Sequence, residues 1–512
     1  MAHALPLHTV IAVVGAGAMG AGIAQVAAAA GHTVRLLDTR PNAALQAIAG
    51  IRAQFDKMAA KGKITPDAAR AAGERLHAAQ QLTDLFDAGL VIEAIVENLA
   101  AKQQLYSDLE AVVSEACIFG TNTSSISVTA IGAALKHPKR LAGLHFFNPA
   151  PLMALVEVVS GLATDPNVAA VLFATATLWG KTAVHARSTP GFIVNRVARP
   201  YYAEALRVLT EGGADCATLD ACCREAGGFR MGPFELMDMI GHDVNFAVTR
   251  SVWNAFFNDP RFLPSLVQQE LVDAGFLGKK TGRGFYNYQE GSVKPLPATE
   301  AARATPTDIV IYGQSAPALA LAARLHARQV SFTQASALGE RDRDVVATAG
   351  GATLRVTDGR SATRCAYDTQ TSNTVLMDLA LDYSSATRLA FSVAAPCGDA
   401  AATHAIGLLQ AAGFAVSRLQ DIPGLIVMRT VAMLANEAAD AVNQGVCSAQ
   451  AVDTAMCLGV NYPRGPLAWA DELGLAQVGA VLANLAHTYG EDRYRTSPLI
   501  AQLTYSSRTF HG

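Results

Sequence analysis

Charge is scarce in this chain of 512 residues: 16% are Asp, Glu, Lys or Arg, and the formal net charge is −3. No long basic run occurs, which removes the electrostatic reason to expect a nucleic-acid partner. Hydrophobic residues reach 51%, so there is apolar surface for large cores and disorder is disfavoured. Cysteine is sparse too. The eight cysteines are scattered, the one close pair is Cys222-Cys223, and no Cys-x-x-Cys occurs. A zinc site or redox motif has no support, no metal is expected, and reduced thiols in a cytoplasmic protein are the simple reading. Leu- and Phe-rich runs of membrane length are missing. Val10 to Gly31 has a single strongly polar residue, Gln25, but is built from Gly and Ala and has no basic segment ahead of it. Neither a membrane span nor a signal peptide is expected.

What is present alternates. Val10 to Val14 is a short apolar run suited to a buried parallel strand, Ile23 to Ala30 is helical in composition, and Thr33 to Leu37 reads as a second strand ending at Asp38. Leu90 to Ile95 and Cys117 to Gly120 read as further buried strands. Alternating β and α segments predict a doubly wound, Rossmann-like parallel sheet. After about Thr189 the pattern turns helical, over Asn195 to Glu211, Ala217 to Glu225 and Val244 to Phe257, before a Pro-, Ala- and Thr-rich stretch from Glu290 to Thr307.

The chain then repeats itself. Pro190-Gly-Phe-Ile-Val-Asn-Arg196 recurs as Pro423-Gly-Leu-Ile-Val-Met-Arg429, and the same offset of 233 pairs Glu204 with Glu437, Asp220 with Asp453, Asp238 with Asp471 and Gly241 with Gly474. Before the second copy, Asp308 to Tyr312 reads as a strand, Ala316 to Ala327 as a helix and Gln329 to Phe332 as the next strand, ending at Thr333 with no carboxylate. The expected domains are an NAD-binding α/β domain over 1–188, an all-helical domain over 189–289, a linker over 290–307, a degenerate Rossmann-like domain over 308–420 and a second helical domain over 421–512.

Gly15-Ala16-Gly17-Ala18-Met19-Gly20 matches the dinucleotide fingerprint in context, between a strand and a helix. Gly15 permits the tight turn, Gly17 lets backbone approach a pyrophosphate, and Gly20 lets helix and strand pack closely. Asp38 is placed to accept from ribose hydroxyls and to repel a 2′-phosphate, which favours NAD over NADP. Asn122-Thr-Ser-Ser125 follows a strand end and suits either a helix cap or a ligand loop. His145 lies between apolar neighbours, and twelve residues on Glu157 interrupts an apolar strand. A buried carboxylate needs a partner, and a histidine is a suitable one, although spacing does not fix the pairing.

Gly-Ala-Gly-Ala-Met-Gly, Asn-Thr-Ser-Ser, His-Phe-Phe-Asn-Pro, Val-Glu-Val-Val, Pro-Gly-Phe-Ile-Val-Asn-Arg and Gly-Lys-Lys-Thr-Gly-Arg-Gly-Phe-Tyr occur in that order over about residues 8–288. As an ordered set they resemble the 3-hydroxyacyl-CoA dehydrogenase family. The resemblance implies NAD-dependent, reversible oxidation of an acyl-CoA substrate, within fatty-acid or phenylacetate breakdown. It implies that His145 is the general base and Glu157 its orienting carboxylate. Ser124 is implied near both the substrate oxygen and the cofactor, and Asn195 near the substrate carbonyl region. Glu97, Lys102, Asn122, Asn148 and Lys280 match positions near NAD. Lys61, with Lys57 one turn earlier, matches a position that meets coenzyme A phosphate; the alternative for both lysines is a solvated surface charge. The second half resembles that of long family members but has Met428 where the first has Asn195, and one fingerprint glycine, Gly313, of three. It is expected to be catalytically silent. Either the chain forms a homo-oligomer or this half builds a pseudo-dimer within one chain.

Overall fold

The computed structural model describes residues 3–339, 342 and 344–512. They form two compact units, Met1–Arg196 with Gln444–Val460, and Val197–Asn443 with Asn461–Gly512.

The first unit is built on an eight-stranded sheet of order β3-β2-β1-β4-β5-β6-β7-β8. Its strands are β1 (Val10–Val14), β2 (Val34–Leu37), β3 (Leu76–Ala78), β4 (Ala88–Glu93), β5 (Ile118–Thr121), β6 (Leu141–Phe146), β7 (Leu155–Ser160) and β8 (Thr182–Arg187). All neighbours pair parallel except β6 with β7. Both faces are covered, which is why the central strands read as unbroken apolar runs. The helix after β1 spans Ala18–Ala29, starting earlier than composition suggests. Its glycines are interior because nothing larger fits: a Cβ on Gly20 would sit 1.8 Å from the Gly15 carbonyl oxygen, and one on Gly22 3.1 Å from Ala150. The Gly- and Ala-rich stretch of membrane length is therefore one strand and one closely packed helix. Among the described residues no helix is long and apolar enough to cross a membrane.

The second unit holds a seven-stranded sheet of order β10-β9-β11-β12-β13-β14-β15. Its strands are β9 (Val310–Tyr312), β10 (Thr333–Ala335), β11 (Val345–Ala349), β12 (Ala352–Val356), β13 (Thr374–Met377), β14 (Arg388–Val393) and β15 (Ala415–Arg418). The strand expected over Gln329 to Phe332 is displaced: Gln329 has φ +58°, turning the chain after the helix Ala316–Ala327, and strand pairing begins only at Thr333. The offset of 233 reaches well before the duplicated motifs, because β6, β7 and β8 begin 233 residues before β13, β14 and β15. The copy fails at its front. β11 runs antiparallel to both β9 and β12, whereas β4 in the matching place runs parallel to β1 and β5.

Retained repeat pairs hold backbone. Asp238 accepts from the N–H groups of Phe285 and Tyr286 at 2.9 Å each, and Asp471 accepts from that of Phe510 at 2.9 Å. One helix of each copy is exchanged. Ala449–Gly459 belongs to the first unit, where the Arg187 N–H donates to the Val446 carbonyl (2.8 Å) and Gly459 lies against Leu155 and Val194. Its equivalent, Cys216–Glu225, lies on the second sheet, where Arg388 donates to Glu225 at 3.1 Å. The Pro- and Ala-rich stretch is docked: the Glu300 N–H donates to the Val416 carbonyl at 2.8 Å, and Ser417 donates to the Ala298 carbonyl at 2.6 Å.

Candidate active site

Gly15 takes φ +105°, and a Cβ there would meet the Ala94 carbonyl oxygen at 2.4 Å, so the turn after β1 requires glycine. A Cβ on Gly17 would meet nothing within 4 Å. The chain thus leaves open space where a fingerprint presents backbone to a pyrophosphate, ahead of the helix N-terminus that favours anions. Asp38 closes β2 and accepts from the Ala16 N–H at 2.7 Å, tying the carboxylate to this turn. Arg40 donates to the same carboxylate through Nε and Nη2, both at 2.9 Å, and holds it well below the usual carboxylate range. These features fit a dinucleotide: an open backbone cradle with an ionised acid beside it.

A cleft of about 1150 Å³ runs from this turn along the helix Ala43–Ala60. Gly17, Arg40, Lys57, Lys61, Lys63 and Pro151 line it, and every charged residue on its wall is a cation. Lys57 and Lys61 are exposed and lie on this shared concave surface.

At the ends of β4 and β5 lies a buried ion cluster. Glu93 is fully buried, accepts from Lys102 Nζ at 2.5 Å and from Thr121 Oγ1 at 2.7 Å. Lys102 also lies 3.2 Å from Glu97 and is itself 1% exposed, so its ammonium neutralises two carboxylates and does not present itself to solvent. Glu97 accepts from Thr123 Oγ1 (2.6 Å), from the N–H groups of Ser124 (3.0 Å) and Ser125 (3.1 Å), and from Ser125 Oγ (2.9 Å). Burial alone would raise this carboxyl; the hydroxyl donors and Lys102 outweigh it and hold it below its ordinary value. Glu97 thereby fixes the Asn122-Thr-Ser-Ser125 loop. Asn122 accepts from the Phe146 N–H at 2.8 Å, joining that loop to the end of β6. Glu93 was not foreseen, although it breaks an apolar run as Glu157 does.

The antiparallel register of β6 and β7 sets His145 opposite Glu157. His145 Nδ1 lies 2.6 Å from Glu157 Oε2, with the histidine 5% exposed and the glutamate fully buried. Phe147 and Phe192 pack on the ring, centroids 4.5 and 5.8 Å away. A carboxylate at Nδ1 keeps the proton there and leaves Nε2 as the basic nitrogen. The other Glu157 oxygen accepts from the N–H groups of Ile193 (3.1 Å) and Val194 (3.0 Å), just before Asn195. Asn195 Nδ2 reaches the Ser124 carbonyl at 3.5 Å, so Ser124, His145, Glu157 and Asn195 share one neighbourhood. Asn148 is exposed after β6. Lys280 belongs to the second unit and pairs there with Asp243 at 2.5 Å.

The offset carries His145 to Asp378 and Glu157 to Ala390, and the Asp378 N–H donates to the Ala390 carbonyl in the same strand register. Buried Asp378 accepts from the N–H groups of Ile426 (3.0 Å), Val427 (2.8 Å) and Met428 (2.9 Å). The second sheet keeps a carboxylate that ties down the following turn, but it comes from the histidine's position and leaves no histidine to orient.

Residues 10–189 match the model for the 3-hydroxyacyl-CoA dehydrogenase NAD binding domain, and 191–288 and 424–509 each match that for the 3-hydroxyacyl-CoA dehydrogenase C-terminal domain. Residues 354–423 match the 3-hydroxybutyryl-CoA dehydrogenase reduced Rossmann-fold domain. The chain is 45% identical to a 3-hydroxyadipyl-CoA dehydrogenase of Escherichia coli over 96% of both chains. It is 40% identical to a probable 3-hydroxybutyryl-CoA dehydrogenase of Bacillus subtilis, covering 55% of this chain and 97% of the relative. A crystal structure of 3-hydroxybutyryl-CoA dehydrogenase from Escherichia coli superposes with a TM-score of 0.88 at 43% identity, covering 98% of this chain and 99% of that one.

Proposed function

The chain belongs to the 3-hydroxyacyl-CoA dehydrogenase family and oxidises 3-hydroxyacyl-CoA with NAD, and from that premise we propose that it does so at one site per chain, in the first half, with (S)-3-hydroxyadipyl-CoA as substrate. The observation that carries the assignment of the site is the His145–Glu157 pair at 2.6 Å. His145 Nε2 takes the proton from the 3-hydroxyl group. Glu157 orients the ring through Nδ1 and steadies its positive charge as that proton arrives. Ser124 and Asn195 hold the substrate oxygens. Gly15, Gly17 and Gly20 cradle the dinucleotide phosphates, and Asp38 accepts from its ribose; Ala16, Ala18 and Met19 complete the turn. Bound there, NAD supplies the hydride acceptor. Glu97 and Asn122 position this wall, Lys102 acts through Glu97, and Asn148 adds a contact to the cofactor. The cationic cleft holds coenzyme A phosphates through Lys57 and Lys61.

The substrate's terminal carboxylate rests on likeness along the whole chain, second half included, to the 3-hydroxyadipyl-CoA dehydrogenase. A panel of 3-oxoacyl-CoA thioesters, reduced with NADH, tests it. 3-Oxoadipyl-CoA should give the highest kcat/KM. Equal or better turnover of acetoacetyl-CoA would transfer the assignment to 3-hydroxybutyryl-CoA.

A further inference from the structure

Within the second unit the two helical copies meet through a pair of equivalent buried contacts, and the two contacts are built differently. In one of them, Arg261 of the first copy donates to Glu437 of the second at 3.2 Å, to Asp440, and to the Arg495 carbonyl at 2.8 Å. Asn436 fills the adjoining space, accepting from the Ser497 N–H at 2.8 Å and donating to the Arg495 carbonyl at 2.9 Å. The offset of 233 carries Glu437 back to Glu204, Asp440 to Arg207 and Asn436 to Ala203; the turn Pro260–Phe262 corresponds to the turn Asp492–Tyr494 one residue out of that register, so Arg493 stands for Arg261. The carboxylate has become an arginine and the amide has become a methyl group.

The result is a cavity of about 160 Å³ walled by Arg199, Arg207, Thr249, Ser265, Gln268 and Arg493 among others. All three charged groups on its wall are arginines. Arg207 is engaged by Glu491 at 2.7 Å, whereas Arg493, 4% exposed, reaches Glu491 only at 3.6 Å. Its Nε has no hydrogen-bond partner among the described residues. Glu204, the counterpart of Glu437, accepts from Arg429 at 2.6 Å and from the Tyr494 hydroxyl at 2.8 Å through one oxygen; its other oxygen has no hydrogen-bond partner among the described residues, and the residue is not on the cavity wall. A buried guanidinium with an unused donor calls for an acceptor.

We propose that this cavity binds a compact oxyanion, carboxylate or phosphate, which replaces the side chains that Asp440 and Asn436 supply at the other contact. The volume admits such an ion together with a water molecule, each water needing about 30 Å³. All of its lining residues belong to the second unit, whereas the glycine-rich turn and His145 belong to the first, and its occupancy ties Arg493 to the helix Arg199–Thr210.

The test uses the full chain saturated with NADH, titrated by calorimetry with inorganic phosphate and separately with acetate, at constant ionic strength against chloride. Wild type should show saturable binding of at least one of the two oxyanions. Arg493→Gln should weaken it at least tenfold. Ala203→Asn installs a side chain the other contact accommodates, so that it should fold, and should weaken binding tenfold by filling the space. The proposal is overturned if neither oxyanion binds saturably to wild type, or if binding survives unchanged in Ala203→Asn or Arg493→Gln. A stronger response to acetate than to phosphate identifies the ligand as a carboxylate, and the reverse as a phosphate.

Discussion

Two sheets in this chain share the register of one antiparallel strand pair and differ in what faces across it. In the first, His145 faces Glu157, which also holds the turn leading into the helical domain. In the second, Asp378 faces Ala390 and holds the corresponding turn with three N–H donors. Both sheets keep a carboxylate that anchors the turn, and the histidine proposed to transfer the proton stands in the first alone. The front of each sheet tells the same story. β1 and β4 run parallel and open a crevice at their carboxyl ends, where doubly wound sheets bind nucleotides, whereas the antiparallel β11 removes that crevice beside β9.

The sharpest way to break this contrast is to remove the histidine. His145→Gln should lower kcat by at least ~10²-fold, the loss typical of a missing general base, while NADH binding by fluorescence titration stays near wild type. Unchanged turnover would end the assignment. The two anchoring carboxylates should then separate. Asp378→Ala leaves buried N–H groups without an acceptor and should cost on the order of 3 kcal/mol in urea unfolding, with turnover per folded molecule unchanged. Glu157→Gln should reduce turnover per folded molecule, an effect no anchoring role in the second sheet can produce.

Smaller effects belong to the cofactor side. Asp38→Ser should relax the preference for NADH over NADPH, measured as a ratio of kcat/KM values; a wild type that already prefers NADPH would contradict the role of this acid. Glu97 has its carboxyl depressed in the folded state, so its contribution to stability is complete above its ordinary value and is lost as pH falls through the depressed one. Glu97→Gln should therefore lower Tm at pH 7, and the gap from wild type should close below about pH 4. A gap independent of pH would mean that packing, not charge, holds the Asn122–Ser125 loop.

Much of this was legible in the residues. The fingerprint stood between strand and helix, and the repeat from Pro190 to Arg196 announced the duplicated domain. The pairing of His145 with Glu157 was not, because a spacing of twelve fits many hairpins and only the strand register places the two face to face. Lys102 matched a position near NAD, yet its ammonium is spent on Glu93 and Glu97, a buried network that no local pattern reveals. The exchange of Ala449–Gly459 into the first unit was also hidden, since the repeat gives which helices correspond but not which sheet each one covers. The displaced strand β10 was lost to a short, polar sequence, Thr333–Ala335, with no apolar alternation to mark it.

The central claim is that only the first sheet carries cofactor and chemistry. Calorimetric titration of the full chain with NADH tests it directly. One site per chain is expected, abolished by a bulky side chain at Gly17 and untouched by one at Ser315, which follows Gly313 by two residues as Gly17 follows Gly15. Two equivalent NADH sites per chain would contradict the account.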